Sequence, residues 1–81
     1  MIAVRPSMIE KAPGVCGGDA RLAGTRIPVW LLVGYRRDGV DDTRLTELYP
    51  ALTPADLAAA WWYYAEHRDE IDQALGEQEA A

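Results

Sequence analysis

The sequence predicts a small, mainly α-helical domain: a small N-terminal β-hairpin followed by three helices that form a helix-turn-helix, the last helix being long. Glycine, proline and short alternating segments crowd the first 27 residues, whereas apolar residues recur at helical spacing from residue 28 onward. The turns between the helical segments are short, at about residues 39–41 and 50–53. Helices joined this tightly cannot lie parallel as in a coiled coil, so we expect a compact trihelical unit.

Residues 1–27 are predicted to form an N-terminal arm and the hairpin. Residues 8–11 are a candidate strand, and the breaker-rich run 12–19 that follows must be a loop. Two short apolar segments, 20–23 and 26–27, flank Gly24-Thr25, a pair suited to the two-residue connection of a hairpin.

The first two predicted helices have clear boundaries. Pro28 opens the first helix, where its missing N–H costs nothing, and Gly39 ends it. The second helix spans about Asp42 to Tyr49, and Asp41 or Asp42 can cap it. Pro50 ends this helix because the residue before a proline is pushed out of the α region.

The third predicted helix begins with the clearest signal in the chain. Thr53 caps it, Pro54 takes its first position, and Asp56 lies in the positive first turn. An apolar stripe then continues to about residue 75, with Arg68 filling its one missing place because the stem can pack while the charge reaches water. We therefore expect the helix-turn-helix domain over 28–75 and a frayed acidic tail over 76–81 of a single domain. The stripe consists of Leu57, Trp61, Tyr64, Ile71 and Leu75.

Charge is distributed unevenly along the chain, whose net charge is −5. Residues 1–40 have a balance of +3 and residues 41–81 a balance of −8, so both a phosphate contact and a basic partner are allowed, as is a purely solubilising role for the acidic half. The single cysteine, Cys16, fits a reducing compartment, and no segment approaches the ~20 apolar residues that span a bilayer. We therefore expect a cytoplasmic protein.

The residues that carry catalysis in other proteins form no recognisable set here. His67 and Cys16 are lone residues, and neither a metal-binding cluster nor a Ser-His-Asp set nor a phosphate-binding loop is present in the sequence. Glu66, Asp69, Glu70 and Asp72 look like a solvated face or a surface for a basic partner. The sequence thus predicts a binding protein without cofactors or metals, and not an enzyme.

Several segments are distinctive when they occur together at these separations: Gly17 to Val29, Gly39, Leu48-Tyr49-Pro50-Ala51-Leu52-Thr53, Ala58 to Tyr64, and His67. Together they resemble one known family, the domain of unknown function 433. Its members are described as VapB-like antitoxins with a homeodomain-like helix-turn-helix, so the resemblance implies a toxin partner, a PIN-like ribonuclease, and binding to the operon's own promoter.

A helix-turn-helix places the N-terminal end of its second helix in the major groove of DNA. Here that end, residues 53–59, has no Arg, Lys, Asn or Gln, the residues that usually contact base edges. The candidate DNA contacts are therefore two small residues at this end and three arginines that flank the motif, although the arginines are equally well explained as solvated charges near helix ends. These candidates are Arg36, Arg37, Arg44, Thr53 and Ala55.

Four consecutive aromatic residues, 61–64, point around nearly the whole circumference of a helix. We expect Trp61 and Tyr64 to continue the core stripe and Trp62 and Tyr63 to face elsewhere, because so small a domain lacks the mass to cover all four rings. The predicted interface with a toxin or a second copy consists of Trp61, Trp62, Tyr63 and Arg26. For Arg26, the alternative is a structural role that ties the hairpin to the acidic half.

The function predicted from these features is an antitoxin that neutralises its toxin by direct binding and regulates its own operon, as a homodimer. The alternative is a dimeric DNA-binding regulator without a toxin partner. The two differ in an observable way: the isolated antitoxin should bind its promoter only weakly, whereas the isolated regulator should bind it with an affinity that falls steeply with salt.

Overall fold

The computed structural model describes residues 8–12, 14 and 18–80. Within this part the chain is mainly helical, with a small antiparallel sheet before the helices, which confirms the predicted fold class. The N-terminal arm 1–7 and Cys16 lie outside the described residues. The elements are β1 (Ile9–Glu10), β2 (Arg21–Leu22), α1 (Val29–Arg37), α2 (Asp42–Leu48), α3 (Pro54–Glu66) and α4 (Arg68–Ala80).

The sheet pairs the first predicted strand with the segment after the loop. Ile9 lies opposite Leu22, and β1 and β2 run antiparallel. The predicted two-residue connection at Gly24-Thr25 is not formed. Gly24 is instead the third residue of the four-residue turn 22–25, which is closed by a bond from the Thr25 N–H to the Leu22 carbonyl (3.1 Å). Gly24 has a φ of 76°, which a turn of this kind demands at its third position and which glycine adopts without strain. The chain does reverse here, since the N–H of Leu22 donates to the carbonyl of Ile27 (3.0 Å).

The helix boundaries follow the local signals in the sequence. Pro28 precedes α1 directly, and Gly39, with a φ of 87°, follows its C-terminal cap. Asp41 caps α2 by accepting a bond from the N–H of Arg44 (2.9 Å). Thr53 caps α3 in a reciprocal arrangement with Asp56: each side chain accepts a bond from the backbone N–H of the other residue.

The predicted long C-terminal helix is wrong in one respect, because it is broken at His67. This residue has φ −132° and ψ 43°, outside the helical region, and ends α3 while its carbonyl accepts the first bond of α4, from the N–H of Ile71 (3.1 Å). The break lets α4 turn back along α1. The two helices run antiparallel, with Asp72 beside Arg37 at one end.

The α1–α4 contact is close because Gly34 has no side chain. A Cβ on Gly34 would lie 3.3 Å from a methyl carbon of Leu75. The helix α4 continues to Ala80, past the end expected at residue 75, so the segment 76–80 is helical and not frayed.

One hydrophobic core joins all four helices and the sheet. Its largest fully buried side chains come from β2 and from every helix, so α4 is part of the core and not an appendage. No helix in the described part of the chain is both long and apolar enough to cross a bilayer. The fully buried large side chains are Leu22, Val29, Leu32, Leu45, Leu57 and Ile71.

Candidate functional site

The four consecutive rings on α3 meet four different environments. Trp61 donates from its indole nitrogen to the carboxylate of Asp42 in α2 (3.2 Å). Tyr64 faces the α1–α4 contact and donates its hydroxyl to Asp72 (2.7 Å). Tyr63 is buried under α4, whereas Trp62 remains 39 % exposed.

Tyr63 contradicts the expectation that it lies outside the core. Only 9 % of this residue is exposed, so the chain itself covers it, and it offers little surface to a partner. The cover comes from the break in the helix: the His67 ring stacks on the Tyr63 ring, with the centroids 4.1 Å apart, and Glu70 accepts the Tyr63 hydroxyl bond (2.9 Å). Lys11 completes the group through an ion pair with Glu70 (3.0 Å).

The charges around Tyr63 change two protonation equilibria. Burial raises the pKa of the Tyr63 phenol, and the hydrogen bond to Glu70 raises this pKa further. The hydrogen bond to Glu70 likewise raises the pKa of the Lys11 ammonium. Both shifts favour the protonated forms of Tyr63 and Lys11. At neutral pH these two residues therefore keep their bonds to Glu70, which connect the segment after β1, α3 and α4.

Trp61 and Tyr64 pack against the core, as expected for the apolar stripe. Both are only partly buried, and the fully buried positions on this helix are Leu57, Ala59 and Ala60. The core face of α3 therefore also includes Tyr63, and the rings of Trp61 and Tyr64 line a surface groove as well as packing against the core.

This groove, called the arginine cleft below, lies between α1, α3 and the start of α4. It has a volume of about 470 Å³ and is lined by Arg36, Arg37, Trp61, Tyr64, Ala65 and Arg68. Arg36 and Arg37 were predicted DNA contacts, whereas Arg68 was predicted only to fill the gap in the apolar stripe and not to be a site residue. The signal was present, because Trp61, Tyr64 and Arg68 are spaced i, i+3 and i+7 and so share a helix face.

The three arginines of the cleft are held differently. The guanidinium of Arg36 lies over the Trp61 ring, 4.5 Å from its centroid, and that of Arg68 lies over the Tyr64 ring at 5.1 Å. Arg37 forms a charge-assisted hydrogen bond with Asp72 and donates to the Tyr64 hydroxyl (3.0 Å). Arg37 therefore ties α1 to α4, and its guanidinium is already engaged.

The other predicted DNA contacts lie on α2 and at the start of α3. Arg44 projects from α2 with a 60 % exposed side chain and a loose contact of 3.9 Å to Glu47. Thr53 uses its hydroxyl in the helix cap, and Ala55, the second residue of α3, is half-buried. The structure thus places these residues on the α2–α3 side, apart from the arginine cleft.

Trp62 dominates the outward face of α3. Ala58 and Ala55 precede it by four and seven residues, so this face consists of two small side chains and one large ring. Among the described residues, only Leu48 is a second large apolar side chain with comparable exposure. We refer to Ala55, Ala58 and Trp62 as the Trp62 face.

Arg26 lies at the far end of the molecule from the arginine cleft. It lines a shallow depression with Asp19 and Trp30 near the start of α1, together with residues near the end of α4, Glu77 and Gln78. Arg26 thus lies next to the acidic half of the chain, as expected if its role is to tie the hairpin to that half. Within the described ranges, no group of three or more His, Cys, Asp or Glu side chains could hold a metal ion.

Comparison with known proteins supplies the family. Residues 9–64 match the family described as "Protein of unknown function (DUF433)", and this match covers more than half of the chain. The fold is similar to the crystal structure of a DUF433 member from Anabaena variabilis, with a TM-score of 0.85 and 49 % sequence identity over 88 % of this chain and 70 % of that one. A search of curated proteins finds no match. The match over 9–64 and this structural similarity show that the chain belongs to the DUF433 family.

Proposed function

We propose that this chain is the antitoxin of a bacterial type II toxin–antitoxin module, acting in the cytoplasm by binding its toxin, a PIN-like ribonuclease, and not by catalysis. The observation that carries the proposal is the exposed ring of Trp62 on an otherwise small-residue helix face. Tryptophan is enriched among the residues that dominate binding energy at protein interfaces. The identity of the toxin class comes from the family resemblance described above.

Charge supports the same proposal. A ribonuclease must attract polyanionic RNA, so the surface around its active site is expected to be basic. The chain carries a net charge of −5, and exposed acidic residues flank the helix break, one at the end of α3 and one in the first turn of α4. These residues are Glu66 and Asp69, both exposed. Complementary charge of this kind accelerates association and selects the partner.

The test is co-expression of the chain with its operon neighbour, read out as cell growth and as co-purification of the two proteins. We expect the wild-type chain to restore growth and Trp62→Ala to fail, since truncating an interface hot spot costs about 2 kcal/mol or more in binding. Ala55→Arg, which adds bulk to the same face, should fail as well.

Two controls separate loss of binding from loss of folding. Trp62→Phe keeps an aromatic ring on the Trp62 face and should retain most of the neutralisation. Gln73→Ala removes an exposed side chain on α4 and should behave as the wild type. If the neighbour is toxic whether or not the folded chain is present, or if the wild-type chain elutes alone, the antitoxin proposal is wrong.

A second candidate function, a dimeric DNA-binding regulator, is favoured by the arrangement of α2 and α3. The helix α2 and the capped helix α3 are separated by only the segment 49–53, with Leu45, Leu52 and Leu57 buried between them, as in a helix-turn-helix. Arg44 is then the expected phosphate contact. Promoter binding by the isolated chain that weakens on Arg44→Ala would favour this function over the antitoxin, which should bind DNA tightly only with its toxin.

A further inference from the structure

The arginine cleft concentrates positive charge on a protein whose overall charge is negative. Arg36 and Arg68 stack on aromatic rings of α3, and neither forms an ion pair with a carboxylate among the described residues. This is unusual in a chain with 13 acidic side chains, because carboxylates are abundant near by. The two guanidiniums are therefore held in place by rings and not neutralised.

Stacking orients an arginine without using its hydrogen bonds. A guanidinium has five N–H donors in its plane, and a ring beneath that plane leaves the donors on its edge available. These donors match a carboxylate or a phosphate in a bidentate manner. The Trp61 and Tyr64 rings are themselves fixed by bonds to Asp42 and Asp72, so the platform under both arginines is preorganised.

The same two carboxylates select among anionic partners. Asp42 lies at the Trp61 side of the cleft, and Asp72 lies at the Tyr64 side. One strand of a nucleic acid duplex carries about one negative charge per 3.4 Å of the helix axis, so a strand along the cleft would bring successive phosphates close to these carboxylates. A peptide with two separated acidic side chains can pair with Arg36 and Arg68 and avoid this repulsion.

From this geometry we infer that the arginine cleft binds an acidic peptide segment of a partner protein, with one carboxylate on Arg36 and another on Arg68. The apolar part of the peptide lies on the exposed Ala65, and the buried Val33 completes the lining beneath it. This surface lies apart from the Trp62 face, because Trp61 and Tyr64 point to a different side of α3 from Trp62. The inference is therefore independent of the proposed antitoxin function.

The test is fluorescence anisotropy of the full chain with a fluorescein-labelled peptide in which two glutamates are separated by leucine and alanine. We expect saturable binding that weakens with salt and is lost when glutamine replaces both glutamates in the peptide. The double variant Arg36→Ala/Arg68→Ala should weaken binding by about tenfold or more, since each bond to a charged group contributes substantially.

Arg44→Ala is the matched control, because it removes the same charge from an exposed position on α2. It should leave peptide affinity within about twofold of the wild type. Circular dichroism of each variant reports whether the fold is retained, which we expect because Arg36 and Arg68 are both exposed.

Three outcomes would overturn the inference. The first is no saturable binding of the peptide to the folded wild-type chain. The second is an equal effect of Arg44→Ala and of the double variant, which would indicate only general charge attraction. The third is tighter binding of a labelled single-stranded oligothymidylate through Arg36 and Arg68, which would assign the cleft to nucleic acid.

Discussion

Replacement of Tyr63 by alanine tests the most consequential feature of the fold, the return of α4 over the centre of α3. The Tyr63 ring is 9 % exposed, stacks on His67 and donates to Glu70. Removing a buried aromatic side chain costs about 3–5 kcal/mol of stability. A domain of 81 residues has a total unfolding free energy of about 4–12 kcal/mol, so Tyr63→Ala should remove a large share of it.

Two further variants divide this loss into packing and hydrogen bonding. Tyr63→Phe keeps the ring and removes only the hydroxyl bond to Glu70, which retains its ion pair with Lys11, so we expect a loss of about 1 kcal/mol. Trp62→Ala removes the neighbouring, more exposed ring and should cost less than about 2 kcal/mol.

Urea unfolding followed by far-UV circular dichroism measures all three variants without depending on tryptophan emission. The expected order of stability loss is Tyr63→Ala, then Trp62→Ala and Tyr63→Phe. A loss of less than about 1 kcal/mol for Tyr63→Ala, or one no larger than that for Trp62→Ala, would refute the reasoning, because it would mean that α4 does not cover the Tyr63 ring.

Three other predictions concern pH, capping and glycine. The pKa values of Tyr63 and Lys11 are raised in the folded chain, so both groups stabilise it fully below their ordinary values of 10.0 and 10.5, and this stability is lost as the pH rises through the folded pKa values. Urea titrations between neutral pH and about pH 11 should show this decline, with a shallower slope for Tyr63→Phe. Thr53→Ala should lower the unfolding free energy by about 1 kcal/mol, with Thr53→Ser close to wild type; equal losses would exclude the cap as the cause. Gly24→Ala should destabilise by about 1–2 kcal/mol because of its positive φ, whereas Gly76→Ala, within α4 and with open space for a Cβ, should stabilise by about 0.5–1 kcal/mol; thermal unfolding curves that shift in the same direction would contradict this contrast.

The elements that the sequence predicted well are those with local signals. Thr53, Pro54 and Asp56 determine the start of α3 through bonds within a single turn, and Gly39 ends α1 through its own backbone conformation. The strand at residues 8–11 was also predicted, but its pairing partner was not. Its register with Arg21–Leu22 depends on a contact across a ten-residue loop, for which the sequence has no local signal.

The break at His67 escaped prediction because no proline or glycine marks it. The apolar stripe continues through the break, since Ile71 and Leu75 are buried on α4 just as they would be on a longer helix. A weaker signal was present: Asp69 and Glu70 follow His67 and occupy the first turn of α4, where acidic side chains favour a new helix start. The energy that fixes the break comes from tertiary contacts, the stacking on Tyr63 and the packing of Leu75 on Gly34.

The break also changes the reasoning about partners. Four adjacent rings on one uninterrupted helix exceed what three helices can cover. In the structure, however, α4 packs back against the domain, and together with the N-terminal sheet it covers Tyr63. Trp61 and Tyr64 are bonded to Asp42 of α2 and Arg37 of α1, respectively. A need for burial therefore no longer argues for a partner at all four positions. It argues for one at Trp62 alone, since this ring has the greatest exposure of the four and lies among alanines that would not obstruct a second protein. A partner that contacts this chain through hydrophobic burial should consequently protect Trp62 from solvent and leave the environments of the other three rings unchanged.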